Sequence, residues 1–320
     1  MKKIGKSSKI FLAGHEGLLG SSLLKALLNE KFLNITTKKS KDLDLTNQKN
    51  VKKFFKRNYF DLVILTAAKA GGIKAHIGNE TEFLYENLMI ALNVIKYSYE
   101  NNIKNIIFFG SNCMYPELCS QPIKEKYLLS GKLEKNISYY ATAKISSLKL
   151  CEAFNKQYKT KYKVIIPPNL LGHNDNFDLQ TAHVAPALLN KFHNAKIKGL
   201  KSVNVWGNGK QTREFLYVGD LTNFVIFLIK NWSRSDKFFV KKTFINVGTG
   251  VETSIKELSM KIADLIKYSG KIIFDKKNPA GTPRKVLDIS LVKKFGWKPN
   301  YSLECALSKT YKKKFIDINN

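Results

Sequence analysis

Tyr140 and Lys144 stand four residues apart in Tyr140-Ala141-Thr142-Ala143-Lys144. On a helix that spacing puts both side chains on one face. A lysine ammonium beside a phenol favours the phenolate and draws its pKa down from about 10 towards working pH. Such a tyrosine can exchange a proton with a carbonyl/alcohol pair while hydride moves to or from the carbon. The spacing alone is common and equally describes a solvated helix face. Tyr139 is adjacent, but only Tyr140 has a lysine at the fourth position on. The pair gains weight from a second pattern far upstream.

That pattern is Gly14-His15-Glu16-Gly17-Leu18-Leu19-Gly20, a G-x-x-G-x-x-G loop. An apolar run, residues 9–13, precedes it, and leucines at helical period follow it over 18–30. Gly14 permits the tight turn. Gly17 lets the backbone approach a pyrophosphate, and Gly20 lets helix and strand pack closely. The free N–H groups of the helix start then face the phosphates. A strand before and a helix after are the context that a dinucleotide loop requires. His15 is read as structural within this loop, beside Glu16, Leu18 and Leu19.

The stretch after the second expected strand reads Thr36-Thr37-Lys38-Lys39-Ser40-Lys41. An NAD site usually carries an acidic residue there for the ribose hydroxyls. A basic stretch suits the 2′-phosphate of NADP, with Lys38 and Ser40 as its contacts and Asp44 and Leu45 at the adenine edge. These lysines also belong to a chain-wide excess, and NAD stays open.

A third stretch, Gly110-Ser111-Asn112-Cys113-Met114-Tyr115-Pro116, directly follows an apolar run. Ser111 is placed to bind a substrate oxygen together with Tyr140. Cys113 lies on the same loop, at the mouth of the expected crevice. Cys119, Cys151 and Cys305 read as small hydrophobes.

The elements that must position these groups alternate. Strands are expected at 9–13, 34–37, 62–65, 106–109 and 163–166, and helices at 18–30, 51–56, 81–100 and 139–158. Alternation of this kind predicts parallel βαβ units in a Rossmann-type, doubly wound α/β sheet. Its ligand crevice lies beyond the carboxyl ends of the strands. Ala67 and Ala68, Phe109 and Gly110, and Pro167, Asn169 and Leu170 stand at or just beyond strand ends and are assigned to the cofactor. Residues 1–170 are expected to form the nucleotide-binding domain, with some elements of 215–250 returning to it. Residues 171–320 are expected to form mainly a smaller substrate lobe.

Composition bounds the rest. The 320 residues are 44% hydrophobic and 25% charged, which describes a globular chain. Four cysteines make no disulfide scaffold and fit no zinc spacing, so no metal is expected. No apolar run approaches the roughly 18 residues of a membrane span, and a cytoplasmic protein with reduced thiols is expected. The net charge is +29, from 54 basic and 25 acidic residues. Nucleic-acid binding would account for it. The basic residues, however, are scattered, with no like-charge block of five, so a composition habit is preferred. No nucleic-acid or membrane partner is expected.

Taken together, the glycine loop, Ser111 and the Tyr140/Lys144 pair resemble the extended short-chain dehydrogenase/reductases that act on nucleotide sugars. Narrower stretches are Ala67-Ala68-Lys69-Ala70-Gly71-Gly72-Ile73, Gly110 to Pro116, Asn174 to Phe177, His183 to Leu189, Trp206 to Gly209, Arg213 to Leu216 and Gly281-Thr282-Pro283-Arg284-Lys285. They resemble the branch of 3,5-epimerase/4-reductases acting on GDP-4-keto-6-deoxy-D-mannose, from about residue 9 to about residue 310. The resemblance implies one site that forms GDP-L-fucose with NADPH. Cys113 would be the base at C3 and C5, His183 the opposing acid, and Tyr140 the proton donor at C4. His183 also falls within the cofactor-contacting set. Lys191, Trp206, Arg213 and position 280 would hold the nucleotide sugar, and a homodimer would form through two long helices.

The chain departs from that pattern. Glu16 replaces a frequent arginine and would repel a 2′-phosphate. Lys191 replaces an arginine, and Ala280 an aspartate. Leu171 and His173 replace a Tyr and a Pro. A sibling 4-epimerase or simple 4-reductase is the alternative reading, and a cofactor-binding regulatory or nucleic-acid-binding protein a third. His76 and His193 carry no partner pattern.

Overall fold

Four consecutive buried residues, Ile10 to Ala13, make the first strand, and their apolar side chains are covered on both faces. The computed structural model describes residues 4–239, 243–275 and 281–317. The first half gives β1 (Ile10–Ala13), α1 (Leu18–Asn29), β2 (Ile35–Thr36), α2 (Gln48–Arg57) and β3 (Leu62–Leu65). It continues with α3 (Ile73–His76), α4 (Glu80–Glu100), β4 (Asn105–Phe109), α5 (Ser138–Tyr158) and β5 (Lys161–Ile166). The second half gives β6 (Asn169–Leu171), α6 (Val184–Ile197), β7 (Ser202–Trp206), β8 (Thr212–Tyr217), α7 (Val218–Lys230) and α8 (Trp232–Phe239). It ends with β9 (Phe244–Asn246), β10 (Glu252–Ser254), α9 (Ile255–Ile266), β11 (Lys271–Asp275), β12 (Arg284–Lys285), α10 (Ser290–Phe295) and α11 (Leu303–Tyr311).

The main sheet has the order β2-β1-β3-β4-β5-β9, parallel at every pairing. Its strands are near-continuous hydrophobic runs because helices cover both faces. The fold class is therefore the expected α/β parallel sheet. Boundaries differ where side chains cap the ends. The helix expected at 51–56 starts at Gln48, because the Asn47 side chain accepts a 3.1 Å bond from the Asn50 N–H. The strand expected at 34–37 shortens to two residues at the sheet edge.

The order reverses between β1 and β3, so the crevice opens at the carboxyl ends of those two strands. Gly14 sits there with φ +89°, a left-handed conformation, and a Cβ on it would lie 2.5 Å from the Ala67 nitrogen.

Pro167 and Pro168 end the run of β5, since proline has no N–H for the ladder. The chain then crosses to a second, smaller sheet, where β8 pairs with β10, β12 and β6. β7 and β11 form a separate parallel pair. A second hydrophobic cluster, including Leu189, Phe192, Val205, Leu258 and Ile262, lies under α6 and α9. The chain returns to the main core through α7, β9 and α10, which bury Phe224, Ile245 and Phe295 there.

One long-range lock joins the halves, and a second ties the second half together. The buried Tyr115 hydroxyl donates to Asn246 Oδ1 at 2.6 Å, tying the loop after β4 to the sixth strand. The Glu214 carboxylate accepts backbone N–H bonds from Thr249, Gly250 and Leu287 at 2.5–2.8 Å. Burial pushes its pKa up and those donors hold it down.

Candidate active site

The glycine loop opens α1 with Gly17 as its cap, and no acidic side chain occupies the first turn. A Cβ on Gly20 would collide with the Gly14 carbonyl oxygen. Glu16 is half-exposed and pairs with Lys39 at 3.6 Å, so a cation partly offsets the acid expected to repel a phosphate. Lys38 and Ser40 are exposed beyond β2. Asp44 is engaged locally: its Oδ1 accepts from the Thr46 N–H at 2.8 Å and the Thr46 hydroxyl at 2.7 Å. Leu45 packs partly against the core, and Asn93 donates to its carbonyl at 2.9 Å. His15 Nδ1 is buried without a hydrogen-bond partner among the described residues.

Beyond the ends of β4 and β5 lies a cavity of about 600 Å³. Ser111, Cys113, Tyr140, Asn169, His183, Lys191, Trp206 and Arg213 all line it. These residues come from six separate segments of the chain. Ser111 and Cys113 start a short 3₁₀ turn, in which the Cys113 N–H donates to Ser111 Oγ at 3.4 Å. The Asn112 N–H donates to the Pro167 carbonyl at 3.2 Å, fastening this turn to the end of β5. His183 caps α6 and Lys191 lies along it. Lys144 lies behind Tyr140: its Nζ donates to the Phe109 carbonyl at 3.0 Å and is 5.7 Å from the Tyr140 ring centroid. Asn169 donates to the Glu214 carbonyl at 3.1 Å. Lys38, Ser40, Asp44 and Leu45 are not among the residues lining this cavity, and Ala280 lies outside the described residues.

Several expectations change here. Cys113 is not at the mouth: it is 5% exposed. Burial pushes its thiol up, while Ser111, Lys285 and Lys144 favour the thiolate. The Tyr140 phenol is also raised rather than lowered, because burial and then the nearby Cys113 disfavour the phenolate. Lys144 itself is lowered to about 8 by the same burial. His183 is lowered to about 4 by burial and the nearby His76, so the imidazole is neutral at pH 7. Trp206, expected at the nucleotide sugar, is 38% exposed, with the Lys191 and Lys74 ammoniums 5.5 and 5.9 Å from its ring centroid. Lys191 also donates to the Asn204 carbonyl at 3.1 Å. Arg213 is fastened by its own donors to the Thr212 and Thr282 carbonyls, at 2.9 and 2.6 Å.

Besides Lys74, three charged or titratable residues of the lining were not singled out from the sequence. His76 lines the cavity, stacks on Phe83 at 3.8 Å and meets the Tyr140 ring edge-on at 5.6 Å. Lys285 and Glu134 also line it and form a buried pair at 3.2 Å. Lys285 closes the Gly281–Lys285 stretch, which was a signal. Glu134 and His76 gave none, since neither stands in a recognisable spacing.

A parallel sheet with a glycine turn at its switch point, facing a cavity of this make-up, defines a Rossmann-type protein. The model of the NAD dependent epimerase/dehydratase family matches residues 10–248, and the chain belongs to that family. It is 41% identical to the GDP-L-fucose synthase of Sinorhizobium fredii over 95% of this chain and 94% of that protein. A GDP-6-OMe-4-keto-L-xylo-heptose reductase from C. jejuni superposes with a TM-score of 0.93, at 35% identity and full coverage of both chains. A GDP-mannoheptose C4 reductase from Campylobacter jejuni, solved with NADP bound, gives 0.88 at 37% identity, covering 97% of this chain and 98% of that one.

Proposed function

We infer that this chain converts GDP-4-keto-6-deoxy-D-mannose to GDP-L-fucose, by 3,5-epimerisation and NADPH-dependent reduction of the 4-keto group in one site. The observation that carries the reading is the single cavity lined by Ser111, Cys113, Tyr140 and His183. It is supported by near-full-length relatives of the same activity.

A proton beside a ketone is weakly acidic, so its removal needs a base and donors for the enolate oxygen. Cys113 takes that proton as a thiolate, and Ser111 and Tyr140 hold the oxygen. His183, neutral beforehand, takes up a proton from water as negative charge builds on the sugar and returns it to the carbon from the other side. For reduction, NADPH supplies hydride at C4. Tyr140 then gives its phenolic proton to the oxygen, with Lys144 beside it to stabilise the phenolate. Trp206 offers a flat face, and Lys191 and Arg213 offer charge, to the nucleotide diphosphate.

The glycine loop suits the cofactor pyrophosphate, with the buried, unpartnered His15 Nδ1 within the loop. Lys38 and Lys39 suit the 2′-phosphate. The four free cysteines suit a reducing cytoplasm. No helix among the described residues is long and apolar enough to cross a membrane. A homodimer is proposed through α4 and α5, whose outer faces leave Tyr85, Leu92 and Tyr139 exposed.

The test is incubation with GDP-4-keto-6-deoxy-D-mannose in deuterated water with NADPH or NADH. Deuterium at C3 and C5 together with cofactor oxidation and GDP-L-fucose is the expected result. Cofactor oxidation without deuterium entry would instead mark a simple C4 reductase, the activity named for structurally similar proteins.

A further inference from the structure

Glu134 and Lys285 are 151 residues apart, yet they meet inside the cavity wall. Both side chains are 6% exposed, and Lys285 Nζ lies 3.2 Å from Glu134 Oε2. Thr282 donates its hydroxyl to the same oxygen at 2.6 Å. The second oxygen, Oε1, is buried without a hydrogen-bond partner among the described residues. Removing charges from water is costly, and a buried pair gives little net stability compared with apolar side chains. Such a pair in a reaction cavity therefore calls for a role other than stability.

The cavity supplies one. Cys113 lines it together with both partners. The thiol is buried, so hydrogen bonds and charges close to it decide its thiolate fraction. Ser111 faces it from its own turn, and Tyr140 and Lys144 face it from α5. Lys144 is engaged with the Phe109 carbonyl. Burial lowers the pKa of both His76 and His183, although Glu134 acts on His76 in the opposite sense. Lys285, from β12, and Glu134, from the loop before α5, remain, with opposite effects on the thiol.

We propose that the Glu134–Lys285 ion pair is a positioning device that sets the thiolate fraction of Cys113: Lys285 supplies the stabilising charge and Glu134 both anchors and moderates it. The inference rests on the proposed function only for what the thiolate does. Its sign follows from charge counting. With Glu134 neutralised, a thiolate faces an unopposed ammonium. With Lys285 neutralised, it faces a carboxylate that only Arg213, of the two cations acting on it, still offsets.

The experiment is iodoacetamide alkylation of Cys113 against pH, read on its own peptide by mass spectrometry, with no substrate present. Glu134→Gln is expected to lower the midpoint by about one pH unit and Lys285→Met to raise it by about one, a tenfold change in thiolate fraction each. Lys285→Arg is expected to keep it. No shift in either variant, a shift in one alone, or shifts of the same sign would overturn the proposal. If Lys285→Met fails to fold, Glu134→Gln decides alone by its sign. Deuterium entry at C3 and C5 is followed in parallel. A thiol shift that leaves the exchange profile unmoved upholds the pair and removes Cys113 as the base.

Discussion

Lys144 donates a 3.0 Å hydrogen bond to the carbonyl oxygen of Phe109, the last residue of β4. A helix lysine is thereby fixed to the end of a sheet strand, directly behind Tyr140. The bond orients the ammonium, and burial lowers its pKa to about 8. It remains charged at neutral pH.

Removal of the phenol isolates its part. Tyr140→Phe is expected to lower kcat for C4 reduction by roughly 10²–10⁴-fold, the usual range for a general acid. Binding of NADPH, measured by fluorescence titration, should stay within about twofold, since the hydroxyl is not a cofactor anchor in this mechanism.

Epimerisation should fail separately from reduction. Cys113→Ala is expected to suppress deuterium entry at C3 and C5 by a similar 10²–10⁴-fold. Direct reduction of the unepimerised ketone should persist and give a product of different configuration, distinguishable by proton NMR. Retained exchange in this variant would remove the thiol from the mechanism.

Cofactor choice turns on the Glu16–Lys39 pair. The pair is half-exposed, so its own stability contribution is small. Glu16→Gln frees Lys39 for a 2′-phosphate. The expected result is a rise of about fivefold in kcat/KM for NADPH with NADH unchanged, roughly 1 kcal/mol. Lys39→Ala should move the ratio the other way.

The neutral His183 makes stability depend on pH. Its folded value, about 4, lies below the ordinary 6.5. Between those values the unfolded chain binds more protons, so stability falls as pH drops from about 6.5 towards about 4. Above 6.5 this contribution is fully present. Thermal melts across that window should be flatter for His183→Gln than for the unaltered chain.

Trp206 tests the nucleotide end. Trp206→Ala removes a half-exposed ring beside two ammonium groups. KM for the GDP-sugar should rise about tenfold, in the range of a lost stacking contact, with kcat little changed. A loss of melting temperature without a KM change would instead mark it as structural.

Much of this architecture is local and could be read along the chain. The strand before Gly14, the leucine period after it and the alternation as far as β5 depend on neighbours in sequence. So does the spacing of Tyr140 and Lys144, because a helix sets which residues share a face. Tertiary structure decided what depends on distant partners. The Glu134–Lys285 contact joins positions 151 residues apart, and no local pattern announces it. The sixth strand, Phe244–Asn246, is three residues long and gains its place only by pairing with β5. The direction of the Tyr140 shift reversed for the same reason. A motif names the charge beside the phenol, but the depth of burial around both is set by the packing of the whole chain, and here desolvation is the larger effect.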